Sequence, residues 1–158
     1  MAEEKDLKQA QTVYKSLCNM LDERGWRYQK NEQELSIRCG AQGEDLPMEI
    51  IIEVDAERQL ASLISPMPFE VPENRRAELA IAVTQANNGM VDGSFDYDFL
   101  SGRILFRMTS SFRQSLIGKA MFAYMLECSC YTIDEYNDKF LAVAKNNMSI
   151  HEIIDFIK

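Results

Sequence analysis

Apolar and polar residues alternate with two different periods along this chain, and each change of period marks a new element. From Leu7 to Leu21, residues Leu7, Ala10, Val13, Tyr14, Leu17, Cys18 and Leu21 recur at intervals of three and four, which is one stripe of an amphipathic helix. Gly25 closes it, in the left-handed position that favours glycine. The period then drops to two. Trp26 and Tyr28, then Leu35, Ile37 and Cys39, then Met48, Ile50, Ile52 and Val54 alternate with polar residues, predicting three strands with one buried face and a loop over 40–47. A short fourth strand over 60–64 follows a turn at 55–58. Pro66, Pro68 and Pro72 remove backbone donors and hold residues 66–72 extended, so this stretch reads as a rigid connector, neither helix nor central strand.

Pro72 suits the first turn of a second helix that carries Leu79, Ala82, Val83, Ala86 and Met90, with Glu73 favourable at its positive end. Asn87, Asn88 and Gly89 mark the exit. A hairpin follows: Phe95, Tyr97 and Phe99 alternate with acidic and small residues, and Ile104, Phe106 and Met108 answer them. A two-residue turn at Ser101 and Gly102 sets Phe99 opposite Ile104, Tyr97 opposite Phe106 and Phe95 opposite Met108, with Asp96 facing Arg107 on the other side. A long helical tract runs over 114–145, with a break expected near Thr132. Ser149 and Glu152 form a capping box that starts a last helix bearing Ile150, Ile153, Ile154 and Ile157. The expected architecture is α+β, an antiparallel sheet of about five strands packed against helices, in the order α-β-β-β(-β)-α-β-β-α-α.

Length and composition turn that pattern into one domain over 1–158. With 158 residues, 46% of them hydrophobic, the chain can build its own core without disulfides or metal. Acidic residues outnumber basic ones 25 to 17, a formal charge of −8 that argues against nucleic acid and anionic lipid as partners. Arg75 and Arg76 form the nearest thing to a basic cluster, and with Glu73 and Glu78 beside them they read as a solvated helix face. No run approaches the ~20 apolar residues of a membrane span and the N-terminus has no secretory pattern, so a cytoplasmic location is expected. Cys18, Cys39, Cys128 and Cys130 read as reduced core residues.

No set of residues adds up to catalytic chemistry. His151 is the sole histidine and falls just inside a helix start, a surface position. Cys128 and Cys130 diverge by roughly 200° on a helix and cannot hold one ion together. Asp96 and Asp98 share a solvated strand face beside Arg107, and none of the seven glycines sits in a phosphate-cradling pattern. The expectation is therefore no catalytic residue, no metal and no cofactor.

The long helical tract carries two apolar stripes. One runs through Ile117, Met121, Tyr124, Cys128 and Tyr131; the other runs through Phe122, Leu126, Ser129, Ile133, Tyr136, Phe140, Val143 and Ala144. One layer of sheet cannot cover both. Either the helix is sandwiched within its own chain, or the stripe around Phe122, Leu126, Ile133, Tyr136 and Phe140 is a surface for a second copy or another protein. Nine methionines would suit an adaptable surface, although methionine also simply fills cores.

The segments Met67-Pro68-Phe69-Glu70-Val71-Pro72-Glu73-Asn74-Arg75-Arg76, Ala86-Asn87-Asn88, Gly93-Ser94-Phe95-Asp96-Tyr97-Asp98 and Gly102-Arg103-Ile104-Leu105-Phe106-Arg107 resemble the YbjN family of sensory transduction regulators. The resemblance covers about residues 65–145. It implies a fold similar to that of type III secretion chaperones, a bacterial source, a cytoplasmic location, no cofactor and no enzymatic reaction. The Phe122–Tyr136 stretch departs from it in its methionine, cysteine and tyrosine content, and the final isoleucine-rich helix has no match.

Two functions are open at this point. The first is a non-enzymatic protein-binding module, chaperone-like or regulatory, working as a homodimer. The second is a small-ligand sensor or enzyme with a dispersed site, such as Arg107 with Asp96 and Tyr97, or Cys39 with His151.

Overall fold

The computed structural model describes residues 1–158. The elements are α1 (Glu4–Glu23), β1 (Tyr28–Asn31), β2 (Ser36–Gln42), β3 (Pro47–Asp55), β4 (Leu60–Glu70), a 3₁₀ turn (Glu73–Arg75), α2 (Arg76–Asn87), β5 (Ser94–Asp98), β6 (Arg103–Ser111), α3 (Lys119–Lys145) and α4 (Ile150–Ile157). Six strands form one antiparallel sheet in the order β1-β2-β3-β4-β6-β5. The α+β expectation is borne out, with six strands where about five were expected.

All the helices lie on one face of this sheet, because the strands alternate as read. Ile37, Cys39, Met48, Ile50, Ile52, Val54, Ala61, Leu63, Phe95, Ile104, Phe106 and Met108 point inward and are buried. Above them α3 crosses the sheet with α1 on one side and α2 on the other, and α4 packs on α2 and α3. Phe95 joins the layers: its ring meets Phe140 edge-on at 4.9 Å, and Tyr136 and Phe106 at 5.5 and 5.3 Å. The capping box forms as expected, Ser149 N–H donating to Glu152 and Glu152 N–H to the Ser149 hydroxyl.

Four local expectations are corrected. The β5–β6 loop is four residues long, so Phe95 faces Phe106 and Tyr97 faces Ile104, a shift of two from the expected register. The cause is Asp98, whose carboxylate accepts from Leu100 N–H and the Ser101 hydroxyl and curls residues 99–102 into a closed loop. Gly102 completes it at φ +75, pressed so close to the Val71 carbonyl that a Cβ would not fit. Phe99 thereby leaves the sheet and is 53% exposed. The long helix begins at Lys119 rather than near 114 and runs unbroken through Thr132 to Lys145.

The third correction concerns the prolines. β4 continues through Pro66 and Pro68 to Glu70, as a central strand. Along an antiparallel strand, residues turn their N–H and C=O alternately to one neighbour and the other. Val54 N–H bonds Leu35 and Phe112 N–H bonds Gln59, which fixes the phase on both strands. Odd residues of β3 and even residues of β4 therefore face each other. Their pairing stops at Ile51 and Ile64, while β4 keeps β6 as partner beyond that point. Pro47 and Pro66 turn their hydrogen-less nitrogens toward the facing strand there, so the ladder ends where its donors are missing. Pro68 falls in the bulge that follows.

The fourth is Arg75 and Arg76, which do not form a solvated face. Arg75 is 7% exposed, and its Nε and Nη2 donate to the Val143 carbonyl at 3.0 and 2.8 Å. Val143 lies in the last turn of α3, where carbonyls have no helical partner, so Arg75 caps that helix from 68 residues away. Arg76 donates to the carbonyls of Val71, Leu100 and Ser101, tying the start of α2 to the β5–β6 loop.

Candidate functional site

The sheet face opposite the helices carries no covering layer. One row across it reads Gln29, Arg38, Ile51, Ile64, Arg107 and Ser94, in register over six strands. Its centre is apolar: Ile51 pairs with Ile64, and Leu105 sits opposite Pro66, all four half-buried. Around this centre stand ion pairs between Arg38 and Glu49 at 3.2 Å, Arg107 and Asp96 at 2.9 Å, and Arg103 and Glu70 at 3.1 Å. Exposed pairs of this kind contribute little stability, about 0–1 kcal/mol each. What they do is set opposite charges in pairs around the apolar centre, so the face offers apolar contact inside a polar frame.

A second exposed surface is the outer side of α3. Tyr131 is 72% exposed and Tyr124 46%, with half-buried Met121 and Cys128 on the same side. The Tyr124 hydroxyl donates to the Asp92 carboxylate, and that bond raises its pKa to about 12.

The structure inverts the two stripes. Phe122, Leu126, Ile133 and Phe140, expected to meet a partner, are each no more than 2% exposed and pack beneath the chain's own sheet; Tyr136 is half-buried beside Phe140. The reason is that α3 lies directly over β4 and β6, and the wider stripe fills that contact. The narrower stripe, Met121, Tyr124, Cys128 and Tyr131, is the one left outside. Within the buried stripe, Ser129 donates to the Met108 sulfur at 3.8 Å.

The dispersed sites fare unevenly. Arg107 and Asp96 meet on the open face, but Tyr97 points to the opposite side, where its hydroxyl donates to the Arg76 carbonyl and burial raises its pKa. Cys39 lies buried in β2 and His151 is exposed on α4, which packs on α2 and α3, so these two do not form a site. Burial, then the neighbouring Cys130, pushes the Cys39 thiol up to about 11; burial and Asp134 do the same to Cys130. Neither is an activated nucleophile. All four cysteines are free.

Reasoning from the sequence missed Ile51, Ile64 and Leu105. The signal was present: each is an apolar residue at an outward position of an alternating strand, next to inward Ile50 and Ile52, Leu63, and Ile104 and Phe106.

No protein-family model matches this sequence, and no curated protein does. Solved structures do. The fold is similar to that of YbjN, a proposed transcription regulator from E. coli. The TM-score is 0.56 at 14% identity, over 79% of this chain and 91% of that one. A chain of the ExsC–ExsE complex matches with a TM-score of 0.57 at 15% identity, over 80% of this chain and 92% of that one. The fold expected from the YbjN resemblance is borne out. No helix is long and apolar enough to cross a membrane.

Proposed function

We propose that this protein is a non-enzymatic binding module, chaperone-like or regulatory, that holds another protein on its open sheet face and works as a homodimer in a bacterial cytoplasm. The observation that carries the reading is the uncovered face itself, with Ile51, Ile64, Pro66 and Leu105 gathered inside a frame of paired charges. Apolar centres with polar rims are the anatomy of protein interfaces. Similarity to a chain solved in a two-protein complex and to a proposed regulator supports the same reading. The outer stripe of α3, with Tyr124 and Tyr131, supplies a separate surface for the second copy.

The test uses Ile51→Glu with Ile64→Lys on the open face, an opposite-charge cross-strand pair, and Tyr131→Glu on α3. Tyr131→Glu should leave thermal unfolding within about 1 kcal/mol of wild type, and the half-buried open-face pair within about 2 kcal/mol, since none of the three positions is core. The first pair abolishes capture of the partner that wild type retains from the native cell; the second converts a dimer to a monomer by light scattering. A wild-type monomer rejects the homodimer, and capture unchanged by the open-face pair rejects the sheet as the binding surface.

A further inference from the structure

Beside the end of the β3–β4 ladder lies a cleft of about 630 Å³, lined by residues at β1, β2, β3 and β4. Its size falls within the ~300–1,000 Å³ of sites that take small molecules. Tyr28, Met48, Pro66, Met67 and Pro68 give it apolar lining, and Arg27, Arg38 and Glu49 its charged lining. We propose that this cleft binds a small amphipathic organic anion, a carboxylate on a short hydrocarbon body.

Three features select that occupant. The cleft is unfit for a peptide strand: Pro47 on β3 and Pro66 on β4 lack the N–H that a ladder to an added strand would use. The walls are apolar and adaptable, because Met48 and Met67 are each under a tenth exposed yet line the opening with flexible thioethers. The charged lining, two arginines and one glutamate, is net positive in a chain of net charge −8. Arg27 is exposed and makes no ion pair; Arg38 has one carboxylate partner, Glu49, which also lines the cleft. One anionic group placed between the two guanidiniums balances this set, and Arg matches a carboxylate in two-point geometry. The Tyr28 hydroxyl is already engaged with Asp22 at 2.8 Å, so the ring contributes surface rather than a polar contact.

Methyl-labelled methionine makes the test specific, since two of the nine methionines line the cleft and seven do not. Titration with octanoate should shift and saturate the Met48 and Met67 methyl signals while the other seven stay in place. Octylamine should leave all nine unmoved. Arg27→Glu, at an exposed position that leaves the fold intact, should weaken octanoate by roughly tenfold or more, the loss expected for one charge-assisted contact. Equal response to octylamine, shifts spread over all nine methionines, or undiminished binding by Arg27→Glu overturns the proposal. So does silence toward octanoate with a response to an acidic, leucine-bearing peptide, which would make the cleft part of a protein interface. Partner capture by the wild-type chain is read separately, so either reading can fail without the other.

Discussion

Replacing Arg75 by methionine separates two accounts of the same residue. As a member of a solvated helix face, Arg75 would tolerate the change within about 0.5 kcal/mol. As a cap, it would not. Its guanidinium makes one two-pronged, charge-assisted contact with the Val143 carbonyl and lies 3.6 Å from Glu78, its side chain 8% exposed. The two prongs share one acceptor and count once, and a hydrogen bond to a charged group is worth about 1.5–3 kcal/mol. Methionine keeps most of the buried stem, so the packing loss is small. Glu78 is a third exposed and is rehydrated when its partner goes, which adds little. The net expectation is a loss of about 2 kcal/mol in urea unfolding, or roughly 4–8 °C in Tm for a chain of this size. Hydrogen exchange should rise first in the last turn of α3. A loss below about 0.5 kcal/mol, or exchange rising evenly along α3, would refute the capping argument.

Three further perturbations test other parts of the structure. Phe140→Ala removes a fully buried ring that meets Phe95 edge-on, and should cost about 3–5 kcal/mol in denaturant unfolding; near-neutral behaviour would return this stripe to the surface. A Cβ at Gly43 would land on the Asp134 carboxylate, which accepts from Glu44 N–H at 3.0 Å, so Gly43→Ala should cost about 1 kcal/mol in wild type and nothing in an Asp134→Ala background, a coupling that a double-mutant cycle reads directly. The Ser149 backbone bond, then the Ser149 hydroxyl, hold the Glu152 carboxyl below its usual value of 4.5. A lowered folded pKa stabilises the ionised form, so the contribution to α4 is complete above about 4.5 and is lost as pH falls through the lower folded value. Amide exchange in α4 followed through that range should show the loss, and Glu152→Gln should remove the pH dependence.

What could be read from the sequence divides by the range of the interaction. α1, the paired alternation of β2 and β3, and the capping box at Ser149 depend on neighbours within about four residues, and they formed where their patterns put them. The hairpin register depended on what the Asp98 side chain would do in a loop, and strand alternation is blind to a shift of two, since both registers keep the same faces. The passage of β4 through two prolines depended on whether β3 would still be alongside. The role of Arg75 depended on a helix end 68 residues away, which no local pattern encodes. The two stripes of α3 were both legible, but which one met the sheet was a question of tertiary packing. In the candidate site, Ile51, Ile64 and Leu105 were visible as breaks in alternation, and only the absence of a second layer gave those breaks a meaning.

The early end of the β3–β4 ladder also bears on how this chain avoids strand-to-strand aggregation. A six-stranded sheet ordinarily has two free borders, and here these belong to β1 and β5, short strands of four and five residues. The early end of the β3–β4 ladder adds a stretch without pairing in the middle of the molecule, on two of its longer strands. An unguarded border there would be a template for another copy's strand. Pro47 and Pro66 guard it from either side, so the end of this ladder does not become the seed of an aggregate.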